Sequence, residues 1–128
     1  MGQTILVLED ERPLLQAIQK KLELNGFEVL TARSVDQAEE YLKNVEGIRA
    51  IWLDHYLLGK TTGLDFVARL KSVEGTKHLP IFVVSNTASP DKIQSYIRLG
   101  VTRYYTKSNY RLDQIIQDIR QAFEKPNE

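Results

Sequence analysis

Residues 5–11 read Ile5-Leu6-Val7-Leu8-Glu9-Asp10-Glu11, and this stretch decides the fold. Four apolar residues in a row, with no polar alternation, describe a strand buried on both faces, as in a parallel sheet. Three acidic residues close it at once. Pro13 follows where the first turn of a helix tolerates it, and Leu14, Leu15, Ile18 and Leu22 recur at helical spacing until Asn25-Gly26 supplies a stop.

The same strand-then-helix unit repeats outward from there. Phe27–Leu30 is a second strand, weaker than the first. Ser34 with Gln37 three residues later is a capping-box signature, and Val35, Ala38 and Leu42 make the inner stripe of the next helix. Ala50–Leu53 is a third strand ending at Asp54, followed by a helix over Gly63–Leu70. Pro80 precedes a fourth strand, Ile81–Val84, which ends at Ser85. Ser89-Pro90 opens a helix carrying Ile93, Ile97 and Tyr96, stopped at Gly100. Val101–Thr106 is the fifth strand, ending at Lys107, and Leu112, Ile115, Ile116, Ile119 and Phe123 stripe the last helix. Strict alternation of strand and helix predicts a three-layer α/β/α domain, with a five-stranded parallel sheet and five helices.

Length and composition agree. The 128 residues fit one domain over 1–128, at roughly 100–200 residues per domain. With 17 Lys+Arg against 17 Asp+Glu, the chain lacks the basic excess of a generic nucleic-acid or membrane-surface binder. The absence of cysteine excludes disulfide scaffolds, Cys-zinc sites and thiol catalysis. No apolar run approaches the roughly 20 residues of a membrane span, and residues 1–15 lack the layout of a signal peptide. The expectation is a soluble, cytoplasmic protein without membrane insertion.

The chemistry collects where the strands end. Glu9-Asp10 follows the first strand, Asp54 the third, Ser85 the fourth and Lys107 the fifth. In an open parallel sheet all these ends share one edge, where ligands bind. One such residue alone is most simply a polar residue marking where a buried strand meets solvent; the whole set at one edge is a site. Clustered carboxylates need a cation, and oxygen ligands without His or Cys favour a hard ion such as Mg²⁺. Lys107 suits a phosphoryl oxygen as a point charge, Ser85 suits another as a donor, and Asp54 between them is a plausible nucleophile.

On these residues the sequence resembles the receiver domain of bacterial two-component response regulators, over essentially the whole chain. The resemblance implies the flavodoxin-like strand order 2-1-3-4-5. It implies that Glu9 and Asp10 are the acidic pair, with Asp10 a direct Mg²⁺ ligand. Asp54 would be the phosphoacceptor, also facing the metal, and Tyr56 would lend the metal its backbone carbonyl. Ser85, the neighbouring Asn86 and Lys107 would surround the phosphoryl group. Tyr104 would be the aromatic that changes rotamer on activation, together with Ser85 as the switch. The partners implied are a histidine kinase or histidine phosphotransfer protein as donor and a downstream protein. The face of the fourth helix, fifth strand and fifth helix would serve output binding or homodimerisation. The protein would be a phosphoacceptor that assists its own Mg²⁺-dependent phosphorylation and dephosphorylation, not an enzyme acting on other substrates. The balanced charge, independently of the resemblance, leads to the expectation of no direct contact with nucleic acid.

Several positions depart from the family pattern. Leu58 stands where a Pro is common and Thr62 where a Gly is common, with Gly63 one place late, so the loop after the third strand is expected to be one residue longer. Asn86 replaces a small residue; with Tyr56 it is expected to crowd the site and slow the loss of phosphate. Ser108 replaces the Pro that usually follows the lysine in a cis peptide, so a trans bond is expected, a non-proline cis bond costing about 2.5–4 kcal/mol. The departures keep a second reading open: a pseudo-receiver that docks a partner without phosphorylation. A phosphohydrolase of the haloacid-dehalogenase type would need an Asp at Tyr56. A flavin protein would need a Ser/Thr/Gly-rich loop where Glu9-Asp10-Glu11 stands, and His55 with distant His78 makes a poor zinc site.

Overall fold

The computed structural model describes residues 3–54, 62–86 and 89–124. The apolar run at the start of the chain is β1 (Thr4–Leu8), and it lies inside the sheet, paired on one side with β2 (Glu28–Ala32) and on the other with β3 (Ile48–Leu53). β4 (Ile81–Ser85) and β5 (Arg103–Thr106) extend the sheet, giving five parallel strands in the order β2-β1-β3-β4-β5. This is the expected order. The five helices are α1 (Arg12–Leu24), α2 (Val35–Asn44), α3 (Gly63–Lys71), α4 (Pro90–Leu99) and α5 (Leu112–Glu124).

Successive residues of a strand point to opposite faces, so each strand feeds two cores. Ile5, Val7, Ala50, Trp52, Phe82, Val84 and Tyr105 are buried against Leu15, Ile18 and Leu22 of α1 and Ile115, Ile116 and Ile119 of α5. Leu6, Leu8, Ile51, Leu53, Ile81 and Val83 are buried against Val35 and Ala38 of α2, Phe66, Val67 and Leu70 of α3, and Tyr96 of α4. Lys21 of α1 and Asp113 of α5 close the first layer from outside with a 2.6 Å ion pair, which holds the Asp113 carboxyl below its ordinary range.

Local signals set most of the ends. Pro13 sits in the first turn of α1, and Gly26 takes the left-handed φ of 90° that its stop requires. The Ser34 hydroxyl accepts from the Gln37 N–H at 3.3 Å, while the Gln37 side chain reaches past the cap to the N–H of Arg33 at 2.7 Å. Thr62 has a local use: its hydroxyl accepts from the Asp65 N–H at 3.2 Å and caps α3. Gly100 ends α4 at φ 93°.

Four expectations need correction. β3 starts at Ile48 instead of Ala50, with Ile48 paired to Thr4. β2 starts at Glu28, because Phe27 is buried in the connection from α1. β5 starts at Arg103 instead of Val101; ahead of it the Thr102 N–H donates to the Ile81 carbonyl at 2.8 Å. The inner residue of α4 is Tyr96, fully buried, while Ile97 points out at 53% exposure. One helical step of about 100° separates the two, and the bulky ring takes the inner place beside Tyr104.

Candidate functional site

The register brings the strand ends level. Leu8 pairs with Ala32 on one side and Leu53 on the other, so Arg33, Glu9 and Asp54 lie in one row at the carboxyl edge of the sheet. Backbone hydrogen bonds carry the ladder into that row: the Glu9 N–H donates to the Ala32 carbonyl and the Asp54 N–H to the Leu8 carbonyl, both at 3.0 Å. Ser85, paired with Thr106, closes β4, and Lys107 follows β5 immediately in a single 3₁₀ turn over Lys107–Asn109.

The row assembles an acidic pocket. One carboxylate oxygen from each of Glu9, Asp10 and Asp54 lies within 4.8 Å of the others. Glu9 and Asp54 are buried, unusual for carboxylates, and Asp10 is half-buried. Nζ of Lys107 faces the pocket at 3.1 Å from Glu9 Oε1 and 3.7 Å from Asp54 Oδ2, so the ammonium sits closer to Glu9 than to Asp54. Oε2 of Glu9 accepts from the Glu11 N–H at 3.2 Å. Ser85 is fully buried at the end of β4, and the next residue, Asn86, is exposed. The half-buried Tyr104 ring packs on Tyr96, with centroids 5.7 Å apart. Nothing in sequence spacing marks Arg33, yet its Nε and Nη2 both donate to the Asp10 carbonyl, at 3.1 and 3.0 Å.

The donor set fits Mg²⁺. Among the described residues, three carboxylates outnumber the Lys107 ammonium and the Arg33 guanidinium that reaches the Asp10 carbonyl, which leaves an excess of negative charge, and all the candidate ligands are hard oxygens. Mg–O distances of about 2.1 Å span at most about 4.2 Å between ligand atoms, so the 4.8 Å cluster suits an ion that binds one or two carboxylates directly and another through water. The Tyr56 carbonyl, and the longer loop expected after β3, lie outside the described residues. No peptide bond among the described residues is cis, and Lys107–Ser108 follows the expected trans form. A cleft of about 360 Å³ lined by Pro80, Phe82, Thr102, Arg103 and Asp118 lies at the other end of β4 and β5. None of the clustered carboxylates borders it.

Comparison with known proteins identifies the family and the fold. A family model described as response regulator receiver domain matches residues 5–120. The phosphate regulon transcriptional regulatory protein PhoB of Pseudomonas aeruginosa is 31% identical over 107 residues, covering 84% of this chain and 46% of that protein. The transcriptional regulatory protein DltR of Streptococcus agalactiae is 30% identical over 116 residues, covering 91% and 50%. The chain thus spans about half the length of these curated relatives. Among solved structures, the phosphorylated cyanobacterial phytochrome response regulator RcpA superposes with a TM-score of 0.81 at 30% identity, covering 97% of this chain and 93% of that one. A response regulator receiver protein from Pseudomonas putida shares the fold at TM-score 0.87 and 21% identity, covering 94% and 98%.

Proposed function

Because the chain belongs to the response regulator receiver domain family, we propose that it is a phosphoacceptor switch of two-component signalling, with Asp54 as the acceptor and residues 1–128 forming one receiver unit. The donor is a phosphohistidine on a histidine kinase or a histidine phosphotransfer protein. An oxygen of Asp54 bonds to phosphorus as the phosphorus–nitrogen bond breaks, and the departing imidazole nitrogen takes up a proton. Glu9, Asp10 and Asp54, with the Tyr56 carbonyl, would hold Mg²⁺, which when bound neutralises charge on the phosphoryl oxygens. Lys107 supplies a second positive charge, Ser85 a hydroxyl donor, and Asn86 the side chain that slows the approach of water.

The observation that carries this reading is the meeting of three carboxylates within 4.8 Å, with the Lys107 ammonium 3.7 Å from Asp54. That a relative at 30% identity is described as phosphorylated supports it. Phosphorylation biases a two-state equilibrium. Ser85 is drawn toward the phosphoryl group, Tyr104 turns inward, and the face made by α4, β5 and α5 changes for a downstream partner or a second copy of the chain. The unit works in the cytoplasm and contacts proteins; the relatives' names as transcriptional regulators concern chains about twice this length. Among the described residues no helix is long and apolar enough to cross a membrane.

Incubation with a small phosphodonor and Mg²⁺, followed by intact-mass measurement, tests the proposal. A phosphate adduct is expected on the wild type and not on Asp54→Asn. A folded wild type that takes no adduct would instead be a docking module that works without phosphorylation.

A further inference from the structure

We propose that Arg33 is a positioning residue for the cation site, holding the Asp10–Glu11 peptide group and so aiming the Asp10 carboxylate at Glu9 and Asp54. The inference rests on reading that pocket as a divalent-cation site. The peptide group between Asp10 and Glu11 is gripped on both sides. Its carbonyl accepts from Nε and Nη2 of Arg33 at 3.1 and 3.0 Å, and its N–H donates to Oε2 of Glu9 at 3.2 Å. A planar peptide group held at both its carbonyl and its N–H cannot turn freely about the Cα–C bond of Asp10, and that restraint sets the direction in which the Asp10 Cα–Cβ bond leaves the backbone. Arg33 is itself anchored. The carbonyl of the preceding Ala32 accepts from the Glu9 N–H, and the Arg33 N–H donates to Gln37 Oε1 at 2.7 Å at the start of α2.

The two grips respond differently to a cation. The Glu9 carboxylate already serves both the Glu11 N–H and Lys107, and it belongs to the cluster that would face the ion. The Arg33 grip ends on a carbonyl oxygen and uses none of the clustered carboxylates. It is the anchor that persists when the site fills.

The sign of one measurement separates positioning from simple charge. A guanidinium beside an acidic cluster repels a divalent cation, so on Coulomb grounds alone its removal tightens binding. Loss of positioning weakens binding. The test is a Mn²⁺ titration of the full chain and of Arg33→Met and Arg33→Lys. Binding is followed by quenching of Trp52, the chain's single tryptophan, which lies two residues before Asp54. Arg33→Met is expected to bind Mn²⁺ roughly tenfold more weakly, and Arg33→Lys, which keeps the charge but not the paired donors, a few-fold more weakly. In the metal-free protein the Glu11 amide of Arg33→Met is expected to exchange with solvent faster than in the wild type. Unchanged or tighter Mn²⁺ binding in a folded Arg33→Met overturns the proposal. If that variant does not fold, unchanged binding in Arg33→Lys does so. A wild type that binds no Mn²⁺ refutes the cation reading itself, before any variant is compared.

Discussion

Asp10 has the fewest partners in the acidic pocket. Glu9 has Lys107 and the Glu11 N–H, and Asp54 has Lys107, whereas among the described residues no donor or cation is paired with the Asp10 carboxylate. Its charge beside two others therefore destabilises the metal-free fold. Asp10→Asn is expected to raise metal-free stability by about 1 kcal/mol, a repulsion already reduced by partial exposure. Saturating Mg²⁺ should raise the melting temperature of the wild type and barely move that of the variant; thermal melts with and without Mg²⁺ read both effects. The pocket residues were legible in the sequence because each directly follows a buried apolar run. Arg33 was not, because its role exists only once β2 lies beside β1, and no local spacing states which strands are neighbours.

At the scale of elements, a part-buried hydrogen bond ties β5 to α5. The Tyr105 hydroxyl donates to Asp118 Oδ2 at 2.7 Å, and Arg103 reaches the same oxygen at 3.8 Å. Burial first, and then the bond to Asp118, push the Tyr105 phenol above its ordinary range. A group raised in the folded state contributes stability that is fully present below its unfolded value, about pH 10 for tyrosine, and is lost as pH rises beyond it. Tyr105→Phe is expected to lower stability by about 1 kcal/mol at neutral pH. Urea midpoints compared at neutral pH and above about pH 10 should show a shallower alkaline decline in the variant than in the wild type. Among the described residues periodicity found the five strands and five α-helices but not the 3₁₀ turn after β5, and it placed Ile97 beside Tyr96 inside α4, whereas Ile97 points out. A pattern of apolar residues cannot tell which of two adjacent positions faces the core when an aromatic competes. The ends of β2 and β5 were misplaced for a related reason: Phe27 and Val101 are buried or half-buried without being in the ladder.

The described residues form two hydrophobic layers on opposite faces of one sheet, fed by alternate side chains of the same strands. Shared strands couple the layers, so the fold should open as a unit. Ile81→Val, in the layer of α2, α3 and α4, is expected to cost about 1 kcal/mol. It should shift the urea transition equally whether read by backbone ellipticity or by Trp52 fluorescence from the opposite layer. Separate shifts would show that the layers unfold independently. The layered architecture and strand order were legible from the alternation of runs and from the family resemblance, respectively. The distances within the pocket were not, because they depend on how far each strand runs before it turns.

Trp52 lies fully buried at the centre of the α1–α5 layer, level in register with Val7 on one side and Phe82 on the other. The three form a row across β1, β3 and β4, with the small Val7 and the large Phe82 on either side of the indole. Such a row constrains the order in which a lineage can accept substitutions. A smaller residue at 52 opens a cavity that a larger residue at 7 can refill, and enlarging 7 first collides with the indole. Either single step is destabilising even where the double change is tolerated. Positions 7 and 52, remote in the chain and silent in the chemistry, are therefore expected to change together or not at all.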